Sequence, residues 1–239
     1  YEISLGLVGS EMCIRDRELA GKDTNIVINC VNNVDKLNEV KSIIEEKGSV
    51  CETFIGDMGN YSDVQKMFDM CLQRFGQVDV LINNAGISVV GLFQNMGENE
   101  WHRICNTNID SVFNCCHFAV KDMMKRHCGK IINISSVWGL YGASCEVAYS
   151  ATKGAVNSFT KALAKELAPS GIQVNAVACG AIDTEMNGHL SDDDKAELAE
   201  EIPAGRFGSP QEVAKLVKSL SGMNSYLTGQ IITLDGGWI

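Results

Sequence analysis

From Asn25 onward, short apolar runs alternate with longer segments in which apolar residues return at every third or fourth position. Short runs bounded by turn residues read as strands buried on both faces, and the longer segments as helices that cover a sheet. Strands are expected over about 26–29, 50–55, 78–82, 130–134, 172–177 and 230–234, with a first strand over 1–5. Helices are expected over about 35–47, 61–75, 108–127, 149–168 and 210–221. This alternation predicts an α/β fold, a doubly wound seven-stranded parallel sheet with helices on both faces. In such sheets ligands bind beyond the carboxyl ends of the strands, where strand order reverses.

The chain's 239 residues suit one such domain with a full core, and no linker, repeat or low-complexity tract interrupts it. Its 20 basic and 30 acidic residues leave a formal charge of −10, which argues against nucleic acid and anionic lipid and for small-molecule partners. Ten cysteines are scattered without any C-x-x-C pair, so reduced thiols and a cytoplasmic location are expected. Neither Cys116-His117 nor His127-Cys128 has a second pair at ligand spacing, and no metal is expected. No stretch approaches the ~20 apolar residues that span a bilayer. The run at 5–8 is too short for a signal-peptide core and lacks a basic lead-in.

Candidate chemistry enters with Ser136, Tyr149 and Lys153, spaced Ser-x12-Tyr-x3-Lys. Four residues apart on a helix, Tyr149 and Lys153 project from one face. A phenol ordinarily ionises near ~10, and a neighbouring ammonium favours the phenolate, which brings tyrosine toward acid/base work near neutrality. Ser136 could hold a substrate oxygen while Tyr149 handles its proton. Three further motifs stand in order around them. They are Asn83-Asn84-Ala85-Gly86 after an apolar run, Asn106-Thr107-Asn108-Ile109, and Ile231-Ile232-Thr233-Leu234 leading into Asp235-Gly236-Gly237.

Over about residues 18–239 these motifs resemble the short-chain dehydrogenase/reductase family, which implies a Rossmann-like fold and hydride transfer at a carbonyl. By that resemblance, Asn108, Ser136, Tyr149 and Lys153 are the catalytic residues, with Asn108 shaping its helix and helping to hold a water in a proton relay. As a residue at the head of a helix, Asn108 has a cap as its alternative reading. Cofactor contacts are implied for Asn84, Ala85 and Gly86 beside the adenosine ribose and for Asp57 at the adenine. Tyr149 and Lys153 would serve the nicotinamide ribose, and Ile182 and Thr184 the carboxamide. Capping a helix is the alternative for Asp57. Trp138, Tyr141, Met186 and His189 are candidates for a substrate wall, below a lid after Thr184 that carries a short helix over about 191–200. Cys179-Gly180 departs from the family's Pro-Gly, freeing one φ angle.

The larger departure is at the start. The family's glycine-rich loop should place glycines at 6, 10 and 12, but the chain has Gly6, Ser10 and Met12. Those glycines permit a tight turn, close approach of backbone to pyrophosphate and close helix packing. The string over 4–17 resembles the translation of a synthetic sequencing adapter joined to a gene without its own start. Residues 1–17 are therefore expected to be an atypical, non-native segment, and 18–239 the enzyme domain.

The end of the second strand reads Asn29-Cys30-Val31-Asn32-Asn33, without the carboxylate that favours NAD, so NADPH is expected over NADH. Ser135-Ser136-Val137-Trp138-Gly139, Arg206-Phe207-Gly208-Ser209-Pro210 and Thr228-Gly229-Gln230 look most like bacterial 3-oxoacyl-acyl-carrier-protein reductases of fatty acid biosynthesis. That implies a 3-oxoacyl thioester substrate and a homotetramer formed through the helices at 108–127 and 149–168. The patch that would meet an acidic carrier keeps Lys125, Arg126 and His127, but its second half reads Ser170-Gly171. Two alternatives stand beside this. One is a reductase of another ketone, such as the aminopentanone group on a lysine of elongation factor P, which a carboxylate at Glu146 would suit. The other is a catalytically idle scaffold, suggested by the disrupted glycine loop.

Overall fold

The computed structural model describes residues 2–7, 18–188, 190–222 and 226–239. Seven strands form one parallel sheet: β1 Glu2–Leu7, β2 Thr24–Cys30, β3 Val50–Ile55, β4 Val80–Asn83, β5 Gly129–Ser136, β6 Ile172–Cys179 and β7 Ile231–Leu234. Their order is β3-β2-β1-β4-β5-β6-β7, so the winding reverses between β1 and β4 and opens a crevice at the carboxyl edge. The first strand covers Glu2–Leu7 rather than the expected 1–5 and pairs in parallel register with both β2 and β4. Residues 8–17, which hold the expected glycine-loop positions 10 and 12, lie outside the described residues.

Helices cover both faces. On one side α2 (Tyr61–Phe75), α4 (Ser111–Arg126) and α6 (Val147–Leu167) bury Phe68, Met123 and Val156 against Val27, Leu81, Ile131 and Val174 of the sheet. On the other, α1 (Val34–Glu46) packs Leu37, Val40 and Ile44 on Ile26 and Ile28, and α8 (Pro210–Gly222) packs Val213 and Val217 near Ile82, Ile132 and Val177. Strands buried on both faces carry near-continuous aliphatic runs, which is why they show in the sequence as runs rather than as alternation. The ends of α2 are set locally. Asn60 Oδ1 accepts from the N–H groups of Ser62 and Asp63, and Gly76 closes the helix at φ 86°.

A row of buried polar side chains crosses this core. Asn83 Nδ2 donates to Asn133 Oδ1 at 2.8 Å, Asn133 Nδ2 donates to Thr160 Oγ1 at 2.8 Å, and Asn83 and Asn133 are register partners on β4 and β5.

The long helix begins earlier than expected. A further helix, α3 (Glu98–Cys105), runs through a π-helical turn at Asn106–Asp110 directly into α4. Only Ile104 of α3 is buried, so the segment lacks the apolar period that marks a helix in sequence. Consequently Asn108 is not at a helix head and caps nothing; it is fully buried inside a continuous helical run. Beyond β6, α7 (Asp192–Glu201) begins with a reciprocal capping box between Ser191 and Asp194.

Candidate active site

Tyr149, Thr152, Lys153, Val156 and Asn157 form the inward stripe of α6, so the helix turns polar groups toward the carboxyl ends of β4 and β5. Tyr149 is 9% exposed and Lys153 4%. The Lys153 ammonium donates to the Ile134 carbonyl at 2.9 Å and lies 5.6 Å from the centre of the Tyr149 ring. Ser136 ends β5, is buried, and its Oγ accepts from the Trp138 N–H at 3.2 Å, which fixes the turn into the short helix α5 (Trp138–Tyr141).

Asn108 joins this group through the π turn. Its Oδ1 accepts from the Ile87 N–H at 2.8 Å, while its Nδ2 donates to the Ile87 carbonyl at 2.9 Å and to Thr152 Oγ1 at 3.0 Å. One side chain therefore fastens the loop after β4 to α6. The glycine of that loop lies close to the lysine: a Cβ at Gly86 would come 3.2 Å from Lys153 Nζ and 3.7 Å from Asn108 Oδ1. Hence all four residues expected to be catalytic gather around the carboxyl ends of β4 and β5.

A cleft of 690 Å³ adjoins them, walled by Asn29 to Asn32 at the carboxyl end of β2, by Asp57, by Asn84 to Ser88 and by Arg103. Asn84, Ala85, Gly86 and Asp57 are thus in its wall. Asp57 caps no helix. It accepts from the Gly59 N–H at 2.8 Å and from Asn106 Nδ2 at 3.3 Å, while Asn60 caps α2. Ile182 and Thr184 do not line the cleft. Ile182 is buried and its carbonyl accepts from Asn187 Nδ2 at 2.7 Å and from the Thr184 hydroxyl at 3.3 Å, so the segment reaches the cleft through Glu185 and Met186.

The residues present fit a dinucleotide. The cleft lies at the winding reversal, its volume is in the range of small-molecule sites, and Gly86 leaves room beside the lysine. Asn29 Oδ1, in the wall at the end of β2, is a buried acceptor without a hydrogen-bond partner, suited to a donating ribose hydroxyl.

Of the expected substrate wall, Met186 lines the cleft, Trp138 packs edge-on against Trp238 at 4.9 Å, Tyr141 is exposed, and His189 lies outside the described residues. Sequence reading passed over Ser88, two residues after Gly86 in the same loop. Its hydroxyl donates to the Glu146 carboxylate, joining the loop after β4 to the start of α6. Cys145 beside it is held at φ 62°, a left-handed conformation uncommon outside glycine, and its carbonyl accepts from the Gly91 N–H at 2.8 Å. The basic patch expected to face a carrier is partly spent on the protein itself. Arg126 donates to Asp122 at 2.9 Å and to Asp79 at 2.8 Å.

Comparison with known proteins agrees with this geometry. The family described as short chain dehydrogenase matches residues 8–195. The 3-oxoacyl-acyl-carrier-protein reductase of Staphylococcus epidermidis is 38% identical over 221 residues, covering 92% of this chain and 91% of that protein. Its counterpart from Chlamydia muridarum is 36% identical over 214 residues, covering 89% and 86%. Among solved structures, a double mutant of a Serratia marcescens short-chain dehydrogenase/reductase superposes with a TM-score of 0.92 at 26% identity, covering 99% of this chain and 97% of that one.

Proposed function

The chain belongs to the short-chain dehydrogenase/reductase family, and from that premise we propose that it reduces a ketone to a secondary alcohol with NADPH, the ketone being a 3-oxoacyl thioester. It is an oxidoreductase acting on CH–OH groups. The observation that carries the reading is the burial of Tyr149 and Lys153 on one stripe of α6, with Asn108 and Ser136 at the same strand ends.

A nicotinamide cofactor supplies the hydride when bound. The Ser136 hydroxyl orients the ketone oxygen, and the Tyr149 hydroxyl donates the proton that this oxygen needs as it becomes an alcohol. The Lys153 ammonium stabilises the phenolate that Tyr149 then carries. Asn108 keeps the loop over 84–88 in place through both polar groups of the Ile87 backbone. The absence of a carboxylate among Asn29 to Asn33 supports NADPH. Exposed Phe113 and Met124 on α4 support assembly through that helix, which we propose gives a homotetramer. The scatter of ten cysteines without a C-x-x-C pair supports a reducing, cytoplasmic setting.

A second reading takes an amine-bearing ketone, such as the aminopentanone group on elongation factor P, as substrate. Two observations favour it: the Glu146 carboxylate held by Ser88 three residues before Tyr149, and the engagement of Arg126 by Asp79 and Asp122, which leaves less charge for an acidic carrier.

The test follows NADPH consumption with a 3-oxoacyl thioester, a neutral ketone and an amino ketone. It uses this chain and a version whose residues 1–17 are replaced by a strand and glycine loop of the family type. Turnover of the thioester, lost in Tyr149→Phe, supports the first reading. Preference for the amino ketone, lost in Glu146→Gln, supports the second. Cofactor binding without turnover of any ketone in either chain refutes both. A large gain in cofactor affinity on replacement marks residues 1–17 as non-native, and equal affinity argues that they are not.

A further inference from the structure

Asp235-Gly236-Gly237 lies outside the cleft and takes no part in the chemistry derived above. Its work is to turn the end of the chain back. Gly236 and Gly237 stand at φ 70° and 83°, a left-handed pair that other residues rarely adopt. The Asp235 carboxylate accepts from the Gly237 N–H at 3.0 Å and from the Ile239 N–H at 3.1 Å, so each of its oxygens holds the returning tail. The Gly236 carbonyl accepts from the Ala204 N–H at 3.1 Å, just past α7. The turn delivers Trp238 edge-on to Trp138, with ring centres 4.9 Å apart.

Trp138 is the first residue of α5, a helix of four residues. So short a helix has too few internal hydrogen bonds to fix its own place and depends on packing. It has two holds. On one side Gly139 lies against α6, where a Cβ would come 2.6 Å from the Lys153 carbonyl carbon; on another, Trp138 meets Trp238. Leu140 and Tyr141 are exposed. The Trp138 N–H donates to Ser136 Oγ at 3.2 Å, which fills an acceptor site of that hydroxyl and leaves its proton to be donated.

Resting on the reading of Ser136 as the group that orients the ketone oxygen, we propose that Trp238 is a positioning residue for the reduction. Its ring holds Trp138, the Trp138 N–H holds the Ser136 hydroxyl as an acceptor, and the hydroxyl proton is thereby aimed at the ketone. Neither tryptophan lines the cofactor cleft, so the effect falls on the ketone and not on the dinucleotide.

The test measures ketone turnover at saturating NADPH beside NADPH affinity, in the whole chain as it stands and with residues 1–17 replaced. Trp238→Ala should lower kcat/KM about ten- to a hundredfold, as a misplaced orienting group does, with NADPH affinity unchanged. Trp238→Phe keeps a ring edge for Trp138 and should stay within about threefold of the parent. Trp238→Leu keeps apolar bulk without a ring and should lose at least about fivefold, which serves as the test if the alanine variant does not fold. In a Ser136→Ala background Trp238→Ala should cost less than about twofold, because both changes act on one hydroxyl. Circular dichroism reads the pair itself: of the chain's three tryptophans, Trp138 and Trp238 should give the coupled indole signal, lost in Trp238→Ala and kept in Trp101→Phe. Unchanged kcat/KM in Trp238→Ala, failure of phenylalanine to rescue, a full further loss in the Ser136→Ala background, or a coupled signal that survives Trp238→Ala each overturns the proposal. A parent that turns over ketone while Trp238→Ala matches it sinks the positioning role alone; a parent without turnover in either form refutes the reductase reading and the proposal with it.

Discussion

Replacing Asn108 by leucine, a near-isosteric apolar residue, tests whether one side chain both stabilises the fold and positions the cofactor loop. In the native protein the Asn108 amide makes three hydrogen bonds, two to the backbone of Ile87 and one to Thr152 Oγ1. Leucine leaves the Ile87 N–H and C=O without these partners. Ile87 is only half-buried, so water can recover part of the loss. At about 1 kcal/mol per hydrogen bond, with a surcharge for groups left partly desolvated, the cost is about 2–4 kcal/mol. For a chain of this size that lowers the melting temperature by roughly 5–15 °C. Thr152→Val removes only the third bond and should cost about 1 kcal/mol. The double variant should fall short of the sum by about 1 kcal/mol, because both changes delete the same contact. Calorimetric melting of the four proteins gives the cycle, and nucleotide titration of each reports the loop, which should bind more weakly in Asn108→Leu than in Thr152→Val. A leucine variant that melts within about 1 °C of the parent and binds nucleotide alike would refute the clamp.

Three further outcomes are expected. Tyr149→Phe should lower kcat by roughly 10²–10⁴ while cofactor affinity stays near the parent's, measured by steady-state kinetics beside fluorescence titration; an unchanged kcat excludes the phenol as proton donor. Gly180→Ala would set a methyl 2.6 Å from Asp235 Cβ and 2.8 Å from its Cα. Because backbone has to shift, a loss of about 1–3 kcal/mol in urea unfolding is expected, and a neutral result would show the β6–β7 edge to be pliable. Glu212 is held down to about 2, from 4.5, first by the Arg206 guanidinium and then by the Ser209 N–H and hydroxyl at the start of α8. A depressed carboxylate stabilises the fold fully above 4.5 and loses that effect as pH falls toward 2. The melting gap between the parent and Glu212→Gln should therefore be constant above pH 4.5 and close below it; a gap that widens on acidification contradicts the assignment.

Much of the fold was legible where the signals are local. Asn60 and Gly76 mark both ends of α2, and its observed span matches the expected 61–75. Buried parallel strands announce themselves as aliphatic runs, although β5 and β6 extend two residues past those runs because Ser135-Ser136 and Ala178-Cys179 continue the ladder. What escaped depends on distant partners. The π turn at Asn106–Asp110 has no local sequence mark; Asn108 is held there by Ile87 and Thr152, 21 and 44 positions away. The Ser88–Glu146 contact spans 58 positions and relies on a left-handed Cys145, a residue type that does not advertise that conformation. The spacing of Tyr149 and Lys153 was readable because a helix fixes it. That Ile182 and Thr184 stay outside the cleft while Glu185 and Met186 enter it is a matter of how one turn folds back on the Ile182 carbonyl.

The polar row from Asn83 through Asn133 to Thr160 bears on how the sheet finds its alignment. β4 reads VLIN and β5 reads GKIINISS, and aliphatic runs buried on both faces can slide past one another with little change in the apolar area they hide. The two amides cannot slide. They sit opposite each other only in the native pairing, and only there does Asn133 also meet Thr160 on α6. In a slipped pairing each buried amide would forfeit its partner at about 1–3 kcal/mol apiece. The row thus works as a key in a keyway, and the strand ends that carry Ser136 and the loop after Asn83 arrive at the same height because any other fit jams.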